Sequence, residues 1–307
     1  MDVSRAEISR ARHRILDYIR QTPVITVDLG LGYPIELKLE HMQHTGSFKP
    51  RGAFNTMLSQ DAPSSGYVAA SGGNHGAAVA HAASSLGRRA HIFVPEIAGT
   101  AKIALIERSG AALTVVSGAY SEALQAAVAF EAEHGATQIH AYDAKATVIG
   151  QGTCMAEWEA QGLEADTVLI AVGGGGLIAG ALAWMQGARK IVAVESENCC
   201  ALHSALASGA PLDVAVSGIA ANALGAKKIG QICFDLAKAQ ATPCVTVSDD
   251  HIHAAQKLLW QELRMLVEPA GATALAALTS GAYKPVKDER VAVLVCGGNP
   301  SVDPFKN

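Results

Sequence analysis

Short runs of β-branched residues alternate with longer runs rich in alanine and leucine along most of the chain. Runs of the first kind favour strands and runs of the second kind favour helices, so the alternation predicts an α/β fold. The predicted strands are residues 35–39, 67–70, 90–94, 113–116, 167–172, 191–194, 245–247 and 291–295, and the predicted helices are residues 76–86, 121–134, 150–159, 250–266 and 271–278. Apolar strands separated by helices form mostly parallel sheets, which bind ligands beyond the carboxyl ends of their strands.

The composition excludes several classes of protein. Hydrophobic residues make up 50% and charged residues 17% of the 307 residues, which is typical of a globular chain with room for about two domains. The 24 basic and 28 acidic residues give a net charge of −4, so the chain lacks the positive charge that nucleic-acid binding requires. The six cysteines form no C-x-x-C pair, and the first residues contain no apolar core of a signal peptide, so we expect a cytoplasmic protein.

Residues 167–188 contain no charged side chain and form a stretch long enough to span a bilayer core of about 30 Å. Four consecutive glycines, Gly173 to Gly176, interrupt this stretch. Each glycine costs about 1 kcal/mol relative to alanine inside a helix. We therefore interpret the stretch as a buried strand, a glycine turn and a buried helix, and we expect no membrane partner.

Two glycine-containing turns follow predicted strands and precede helices, at residues 71–76 and 173–176. A helix N-terminus offers unpaired backbone N–H groups and a positive dipole, so each turn can bind a phosphate or a carboxylate. A third turn, at residues 296–299, follows a strand without a clear helix after it and is better suited to present a side chain.

The second turn also fits a nicotinamide dinucleotide fingerprint, Gly174-x-Gly176-x-x-Ala179. Glu195 ends the next predicted strand about twenty residues further on, where a ribose-binding acid belongs. A glycine turn needed only for tight packing explains the same pattern. The turn alone therefore leaves both interpretations open.

Lys49 lies between Phe48 and Pro50, after a segment of small and hydroxyl residues. A lysine in a desolvated setting has a lowered pKa and can form a Schiff base. Most lysines, however, are exposed to solvent. These residues alone do not decide between the two settings.

The residues from Ser47 to Ala53 read S-F-K-P-R-G-A and resemble the cofactor-lysine signature of the serine/threonine dehydratase family of pyridoxal phosphate enzymes. This family has fold type II, the fold of the tryptophan synthase β-subunit. Further motifs follow in the family's order: residues 71–76 resemble S-A-G-N-H-G, residues 150–153 with Glu157 resemble the G-Q-G-T helix start, residues 173–176 resemble the tetraglycine phosphate loop, residues 268–272 resemble E-P-x-G-A, and residues 296–299 resemble S/C-G-G/A-N. Because a cofactor phosphate accounts for the glycine turn, the resemblance favours pyridoxal 5'-phosphate over a nicotinamide dinucleotide.

The resemblance implies a role for each matching residue. Lys49 matches the lysine that holds the cofactor as a Schiff base and, once displaced by the substrate amine, removes the Cα proton. Phe48 matches the residue that packs beside the cofactor ring. The amides that match the phosphate-binding loop belong to Gly173, Gly174, Gly175, Gly176 and Leu177.

Asn74 matches the side chain that hydrogen-bonds the phenolic oxygen of the cofactor, and Cys296 matches the partner of its pyridine nitrogen. A thiol has a pKa of about 8.5 and does not fix a full positive charge on the ring as an aspartate would, so β-elimination is favoured over transamination. The loop that closes on the substrate carboxylate matches Ser71, Gly72, Gly73, Asn74 and His75. His75 either contacts the substrate side chain or simply follows Asn74 into the helix, and we prefer the second interpretation because only the loop amides need their position.

Two positions depart from the related serine racemases. Gly72 stands where these racemases have a second acid/base serine, so racemisation lacks a proton donor on the opposite face of the cofactor. Glu195 matches a divalent-cation ligand, but the accompanying aspartate is replaced by Ala201. The replacement weakens a divalent site and leaves open a monovalent cation or a merely solvated carboxylate.

The resemblance also implies the architecture: two open, mostly parallel α/β domains with the cofactor in the cleft between them, in a homodimer. Residues 1–65 and 144–307 would form the large cofactor-binding domain and residues 66–143 a small inserted domain. Arg51 and Lys102 are candidates for contacts between the domains. We expect no C-terminal regulatory domain, because the chain ends soon after Asn299.

The implied activity is dehydration and deamination of a small amino acid with a β-hydroxyl group, L-threonine and/or L-serine, to the 2-oxo acid and ammonia by α,β-elimination. An amino-acid racemase, a β-replacement synthase and a dehydratase of 3-hydroxyaspartate or phenylserine are alternatives on the same fold. A protein of a different class would bind a nucleotide through the pattern that ends at Ala179.

Overall fold

The structure is a computed structural model that describes residues 3–96, 98, 100–118 and 120–300. Within these residues the chain forms helices α1 to α12 and strands β1 to β10. The helices are α1 (Arg5–Ile15), α2 (Lys49–Leu58), α3 (Asn74–Ser85), α4 (Thr100–Glu107), α5 (Tyr120–His134), α6 (Lys145–Ala160), α7 (Gly176–Met185), α8 (Ala201–Ser208), α9 (Ala221–Leu224), α10 (Gln231–Ala239), α11 (Asp249–Leu263) and α12 (Pro269–Thr279). The strands are β1 (Val24–Val27), β2 (Ile35–Lys38), β3 (Tyr67–Ala70), β4 (Ala90–Pro95), β5 (Ala112–Val116), β6 (Thr137–Gln138), β7 (Thr167–Ala171), β8 (Lys190–Ser196), β9 (Cys244–Val247) and β10 (Val291–Leu294).

The larger sheet has six strands in the order β1-β2-β10-β7-β8-β9. Neighbouring strands in this sheet run parallel, except that β1 pairs antiparallel with β2 at the edge. Strand β10 lies between β2 and β7, so Val293 pairs with Leu37 on one side and with Leu169 on the other. Residues from both halves of the chain therefore build one sheet.

The smaller sheet has four strands in the order β5-β4-β3-β6, all parallel. These strands fall within residues 66–143, the segment predicted to form the small domain, and the domain boundaries stay a prediction. The side chain of Lys102 lies outside the described residues. The interpretation of Arg51 as a domain contact is wrong, because its guanidinium is buried against Glu40 and Glu157 in the segments assigned to the large domain.

The predicted α/β class with mostly parallel sheets is confirmed. Each predicted strand is present, with ends within two residues of the expected ones. Two strands were not predicted: β6 has only two residues, too few to form a pattern, whereas β1 at the sheet edge is a β-branched run as long as several predicted strands and was missed. The uncharged stretch forms β7, the glycine turn and α7 as expected, and among the described helices none is long and apolar enough to cross a membrane.

Helix α6 corrects one prediction. We expected it to begin at Gly150, but it begins at Lys145, so that Gly150 and Gly152 lie inside the helix. Propensity alone makes glycine a poor interior residue of a helix. The reason for these glycines is found in the packing of α6 against its neighbours.

Helix α6 contacts α2 on one side and α7 on the other with no room for side chains at the contacts. A Cβ atom added at Gly150 would lie 2.5 Å from the carbonyl oxygen of Arg51 and 2.7 Å from Cα of Gly52, both in α2. A Cβ atom added at Gly180 of α7 would lie 2.4 Å from the backbone nitrogen of Gly152. The glycines therefore let the three helices meet backbone to backbone.

We expect Gly150→Ala to lower the free energy of unfolding by about 1–3 kcal/mol, because the added methyl group overpacks the contact between α6 and α2. Helix propensity alone would raise it by about 1 kcal/mol. Denaturant unfolding followed by circular dichroism measures the difference. The control is Ala160→Ser at the exposed end of α6, which also adds one heavy atom and should change stability by less than about 0.5 kcal/mol. A stabilised Gly150→Ala variant would contradict the close packing.

Candidate active site

A cavity lies at the carboxyl ends of β7 and β10, two neighbouring strands of the larger sheet. Every residue that we predicted to bind the cofactor lies in its walls: Phe48, Lys49, Asn74, Gly173, Gly174, Gly175, Gly176, Leu177 and Cys296. The structure thus brings residues from distant parts of the chain together in one cavity.

Lys49 is the first residue of α2, and the backbone just before it is hydrogen-bonded to the segment that follows β10 of the larger sheet. The backbone N–H of Phe48 donates a hydrogen bond to the carbonyl oxygen of Cys296 at 3.2 Å. The Lys49 Nζ atom donates to the carbonyl oxygen of Ala141 at 3.0 Å. Burial lowers the pKa of Lys49 to about 8, against the opposing effect of the Glu268 carboxylate. The amine is therefore neutral more often than in an exposed lysine, and the neutral amine is the form that acts as nucleophile or base.

The glycine turn at residues 173–176 ends at the N-terminus of α7, with Gly175 in the left-handed conformation at φ 93°. A Cβ atom at Gly174 would lie 2.3 Å from the ring of Tyr142, and one at Gly175 would lie 2.5 Å from Sγ of Cys233. Side chains are therefore excluded here, and the backbone N–H groups at the start of α7 can face a ligand. This geometry is typical of a phosphate site.

Cys296 follows β10 and is 3% exposed. Its Sγ atom donates to the carbonyl oxygen of Ala270 at 3.3 Å. Burial, together with the nearby Glu268 carboxylate, raises the pKa of Cys296 well above its usual range. Cys296 therefore presents a protonated, neutral thiol to the cavity.

Asn74 begins α3 and is oriented by two side chains from distant segments. Its Nδ2 atom donates to Oε1 of Glu268 at 2.5 Å, and its Oδ1 atom accepts from Nδ2 of Asn299 at 2.9 Å. The same Asn299 Nδ2 atom donates to the carbonyl oxygen of Thr45 at 2.6 Å. These contacts fix both ends of the Asn74 amide at the edge of the cavity.

Glu268 and Tyr142 line the cavity but were not predicted as site residues. Glu268 is the first residue of the segment that resembles E-P-x-G-A, and this motif is the sequence signal that points to it. Tyr142 carries no sequence signal, since it stands in no motif and reaches the glycine turn only through the fold.

The loop from Ser71 to His75 joins β3 to α3. The N–H of Ala77 bonds to the carbonyl oxygen of Gly73, so the amides of the three residues before Ala77 precede the first intrahelical bond and can bind a carboxylate. The Nε2 atom of buried His75 lies 2.8 Å from the carbonyl oxygen of Ile139, and burial lowers its pKa to about 3. The imidazole thus packs as a neutral side chain, and its role toward the substrate stays a prediction. Among these loop residues, Asn74 is the one whose atoms line the cavity as the structure describes it.

The chain matches the profile of the pyridoxal-phosphate dependent enzyme family over residues 15–297. The chain belongs to this family. The resemblance inferred from the motifs is therefore confirmed, and so is fold type II.

Three similar proteins show the range of activities among relatives. A phenylserine dehydratase of Ralstonia pickettii is 33% identical and covers 97% of this chain and 94% of its own. An L-threonine ammonia-lyase of Thermotoga maritima is 34% identical and covers 89% of this chain and 69% of its own. The structure of maize serine racemase superimposes with a TM-score of 0.92 at 29% identity and covers 99% of this chain and 95% of its own.

The space beside Gly72 is occupied in this family member. A Cβ atom at Gly72 would lie 2.3 Å from Cβ of Ala98 and 3.1 Å from Cγ1 of Val94. A serine at this position would therefore require Ala98 to move. The chain lacks both the hydroxyl group and the room for it.

The Glu195 carboxylate is fully buried, so its interpretation as a solvated carboxylate is wrong. It accepts hydrogen bonds from the backbone nitrogens of Leu202 at 2.9 Å and His203 at 2.7 Å, and from Sγ of Cys244 at 3.4 Å. Burial raises the pKa of Glu195 to about 7. Across the described part of the chain, no three His, Cys, Asp or Glu side chains are arranged to hold a metal ion, and the monovalent cation stays a prediction.

We expect pyridoxal 5'-phosphate to attach covalently to Lys49 faster as the pH rises, with a midpoint near pH 8, because only the neutral amine attacks the aldehyde carbon. A short lysine peptide, the control, should give a midpoint of about 10.4. Borohydride trapping at a series of pH values, followed by peptide mass spectrometry, measures the rate at Lys49. A midpoint equal to that of the peptide would contradict a desolvated amine.

Proposed function

We propose that this protein is a pyridoxal phosphate-dependent lyase that converts a β-hydroxy amino acid, L-threonine and/or L-serine, into the 2-oxo acid and ammonia by α,β-elimination. Relatives named as an ammonia-lyase and a dehydratase support the proposal. The observation that carries it is Cys296, a thiol kept neutral in the same cavity as Lys49.

The residues of the cavity fit pyridoxal 5'-phosphate. The turn at residues 173–176 would hold the phosphate, because it excludes side chains and ends at a helix N-terminus. The Nζ atom of Lys49 would bond to the aldehyde carbon, and the neutral thiol of Cys296 would lie beside the pyridine nitrogen. When bound, the cofactor supplies an electron sink that makes the Cα proton of an attached amino acid acidic.

The remaining chemistry belongs to the side chains of this protein. The Lys49 Nζ atom, with a pKa of about 8, takes the Cα proton and can release it again near neutral pH. The first amides of α3 bind the substrate carboxylate. Asn74, held by Glu268 and Asn299, sets the position of that loop against the cavity.

Elimination is favoured over racemisation by two positions. Racemisation needs a second proton donor on the opposite face of the Cα atom, and Gly72 supplies none. A neutral thiol at Cys296 limits electron withdrawal into the ring, so the carbanion character at Cα is relieved by loss of the β-hydroxyl group. The likeness to maize serine racemase does not change this reasoning, because that likeness is one of overall fold.

Phenylserine is the second candidate substrate. The relative from Ralstonia pickettii, a phenylserine dehydratase, is the observation that favours it. Comparing kcat/KM for phenylserine, L-threonine and L-serine decides the order of preference.

The remaining proposals concern the surroundings of the site. We propose a cytoplasmic homodimer in which residues 66–143 close over the bound amino acid, and a monovalent cation near Glu195. Sedimentation equilibrium tests the dimer, and hydrogen exchange with and without a non-reactive substrate analogue tests the closure. Activity measured in potassium and in tetramethylammonium salts tests the cation.

We expect Lys49→Ala to fold normally and to lose elimination by several orders of magnitude, since the attachment point and the base are removed together. Borohydride treatment in the presence of pyridoxal 5'-phosphate should then leave no adduct at position 49. Lys145→Ala, on the partly exposed side of α6, is the control and should keep full activity. Ordinary turnover by Lys49→Ala would refute the assignment.

With L-serine we expect pyruvate and ammonia as products and D-serine as a trace at most. Chiral chromatography beside a 2-oxo acid assay measures both. Gly72→Ser alone should destabilise the protein, because its Cβ atom meets Ala98. Gly72→Ser combined with Ala98→Gly removes that clash and tests the missing donor, which when aligned contributes about 10²- to 10⁴-fold in rate. D-serine forming faster than pyruvate in the unmodified protein would overturn the choice of elimination.

A further inference from the structure

We propose that a buried ion network of Lys38, Glu40, Arg51 and Glu157 positions Lys49 relative to the glycine turn, so that the cofactor can be held at both of its ends. The four side chains are called the ion network below. The inference rests on the proposed function only in that Lys49 carries pyridoxal 5'-phosphate.

Arg51 is the centre of the ion network and lies two residues after Lys49 in α2. Its Nε atom donates to Oε2 of Glu40 at 2.8 Å, and its Nη2 atom donates to Oε1 of Glu40 at 2.7 Å. The same Nη2 atom lies 3.0 Å from Oε2 of Glu157 in α6. A guanidinium held by two parallel bonds to one carboxylate has a defined orientation, which a single point charge would not have.

Lys38 completes the ion network from the end of β2. Its Nζ atom donates to Oε1 of Glu157 at 2.6 Å and to the carbonyl oxygen of Thr22 at 2.8 Å. Thr22 itself donates two hydrogen bonds, from its N–H to Glu157 at 3.0 Å and from its hydroxyl to Glu40 at 2.5 Å. The two cations and two anions balance in charge and join β2, α2 and α6.

Stability alone does not explain this arrangement. Lys38, Glu40 and Arg51 are 0% exposed, and Glu157 is 5% exposed. Removing four charges from water costs several kcal/mol per ion, and well-packed apolar side chains of similar volume are often as stable or more stable. Unlike apolar packing, an ion network fixes the relative orientation of the segments it joins, because its hydrogen bonds form in one geometry only.

This orientation matters because α2 carries Lys49 and α6 packs against α7, the helix that begins at the glycine turn. Helix α2 begins with Lys49, and α6 contacts α2 at Gly150 and α7 at Gly180, while α7 begins at the glycine turn. The glycine contacts set the distance between the helices. The rotation and the axial position of α2 on α6 are set by the ion network at the end of α2 that carries Lys49, and by the hydrogen bond from Nδ2 of Asn55 to the carbonyl oxygen of Ala146 further along the helix.

Cofactor attachment depends on this spacing. A phosphate bound at the glycine turn presents the aldehyde carbon to Lys49 at a high effective concentration only if the two sites are correctly spaced. A displacement of about 1 Å can cost about 10²-fold in such a reaction. The ion network therefore acts on attachment without touching the cofactor.

Two ligands separate attachment from phosphate binding. Pyridoxal 5'-phosphate binds through its phosphate and its aldehyde, whereas 4-deoxypyridoxine 5'-phosphate has the same phosphate and ring but no aldehyde. The ratio of their affinities for the apoprotein, measured by fluorescence titration, reports the contribution of Lys49. We expect Arg51→Met to lower this ratio at least about 10-fold and Arg51→Lys to lower it less, while the affinity for the deoxy compound changes by less than about twofold.

Glu157→Gln provides a second variant of nearly the same shape, in case Arg51→Met does not fold. The control is Lys145→Met, which is on the same helix as Glu157. It breaks a partly exposed ion pair between Nζ of Lys145 and Oε1 of Glu7, which are 2.8 Å apart. It should leave the ratio unchanged. Melting curves of all apoproteins, followed by circular dichroism, report folding separately.

An unchanged ratio in the Arg51 and Glu157 variants would overturn the inference, and an unchanged ratio with an equal loss of affinity for both ligands marks a purely structural role. Failure of the proposed function looks different. In that case the unmodified protein attaches pyridoxal 5'-phosphate and shows the expected ratios in its variants, but forms no 2-oxo acid from L-threonine, L-serine or phenylserine.

Discussion

Helices α2 and α6 approach each other so closely that a methyl group added at Gly150 would overlap backbone atoms of Arg51 and Gly52. Helix α6 makes the same kind of contact with α7 at Gly180. Because α2 carries Lys49 at its first position and α7 starts at the glycine turn, the two ends of the cavity are spaced by helix packing and not by loops. Close-packed interiors resist small displacements, and this resistance gives the site defined dimensions.

The electrostatics of the cavity depend on burial more than on charge pairing. Burial is the largest cause of both the lowered pKa of Lys49 and the raised pKa of Cys296, and the Glu268 carboxylate adds to the second effect, so both groups are kept closer to their neutral forms. Glu268 contributes a nearby carboxylate, which Asn74 engages through a hydrogen bond. An amine whose pKa lies near 8, beside a neutral thiol, suits proton removal without a fixed positive charge on a ring, and the proposed elimination rests on this pairing.

Sequence reasoning was reliable where the backbone carries the chemistry. The glycine turn at residues 173–176 was predictable because glycine marks positions where a side chain is excluded, and the turn follows a plain apolar strand. The contact of Asn74 with Glu268 joins residues 194 positions apart, and the contact of Tyr142 with Gly174 has no motif, so neither follows from local pattern. The start of α6 was misplaced for a related reason: propensity treats Gly150 as a helix boundary, whereas tertiary packing requires it inside the helix.

Two departures from the racemase pattern gain meaning from their surroundings. The position of Gly72 is closed off by Ala98, and both oxygens of Glu195 accept hydrogen bonds, from the first amides of α8 and from Cys244. In each case a neighbouring group of this chain occupies the space or most of the hydrogen-bonding capacity that a further functional group would need. A single substitution back to serine at position 72 therefore meets a steric cost before it can supply a proton. At Glu195 three hydrogen bonds use three of the roughly four lone-pair positions of the buried carboxylate, so a cation there would use the one that is left on Oε1.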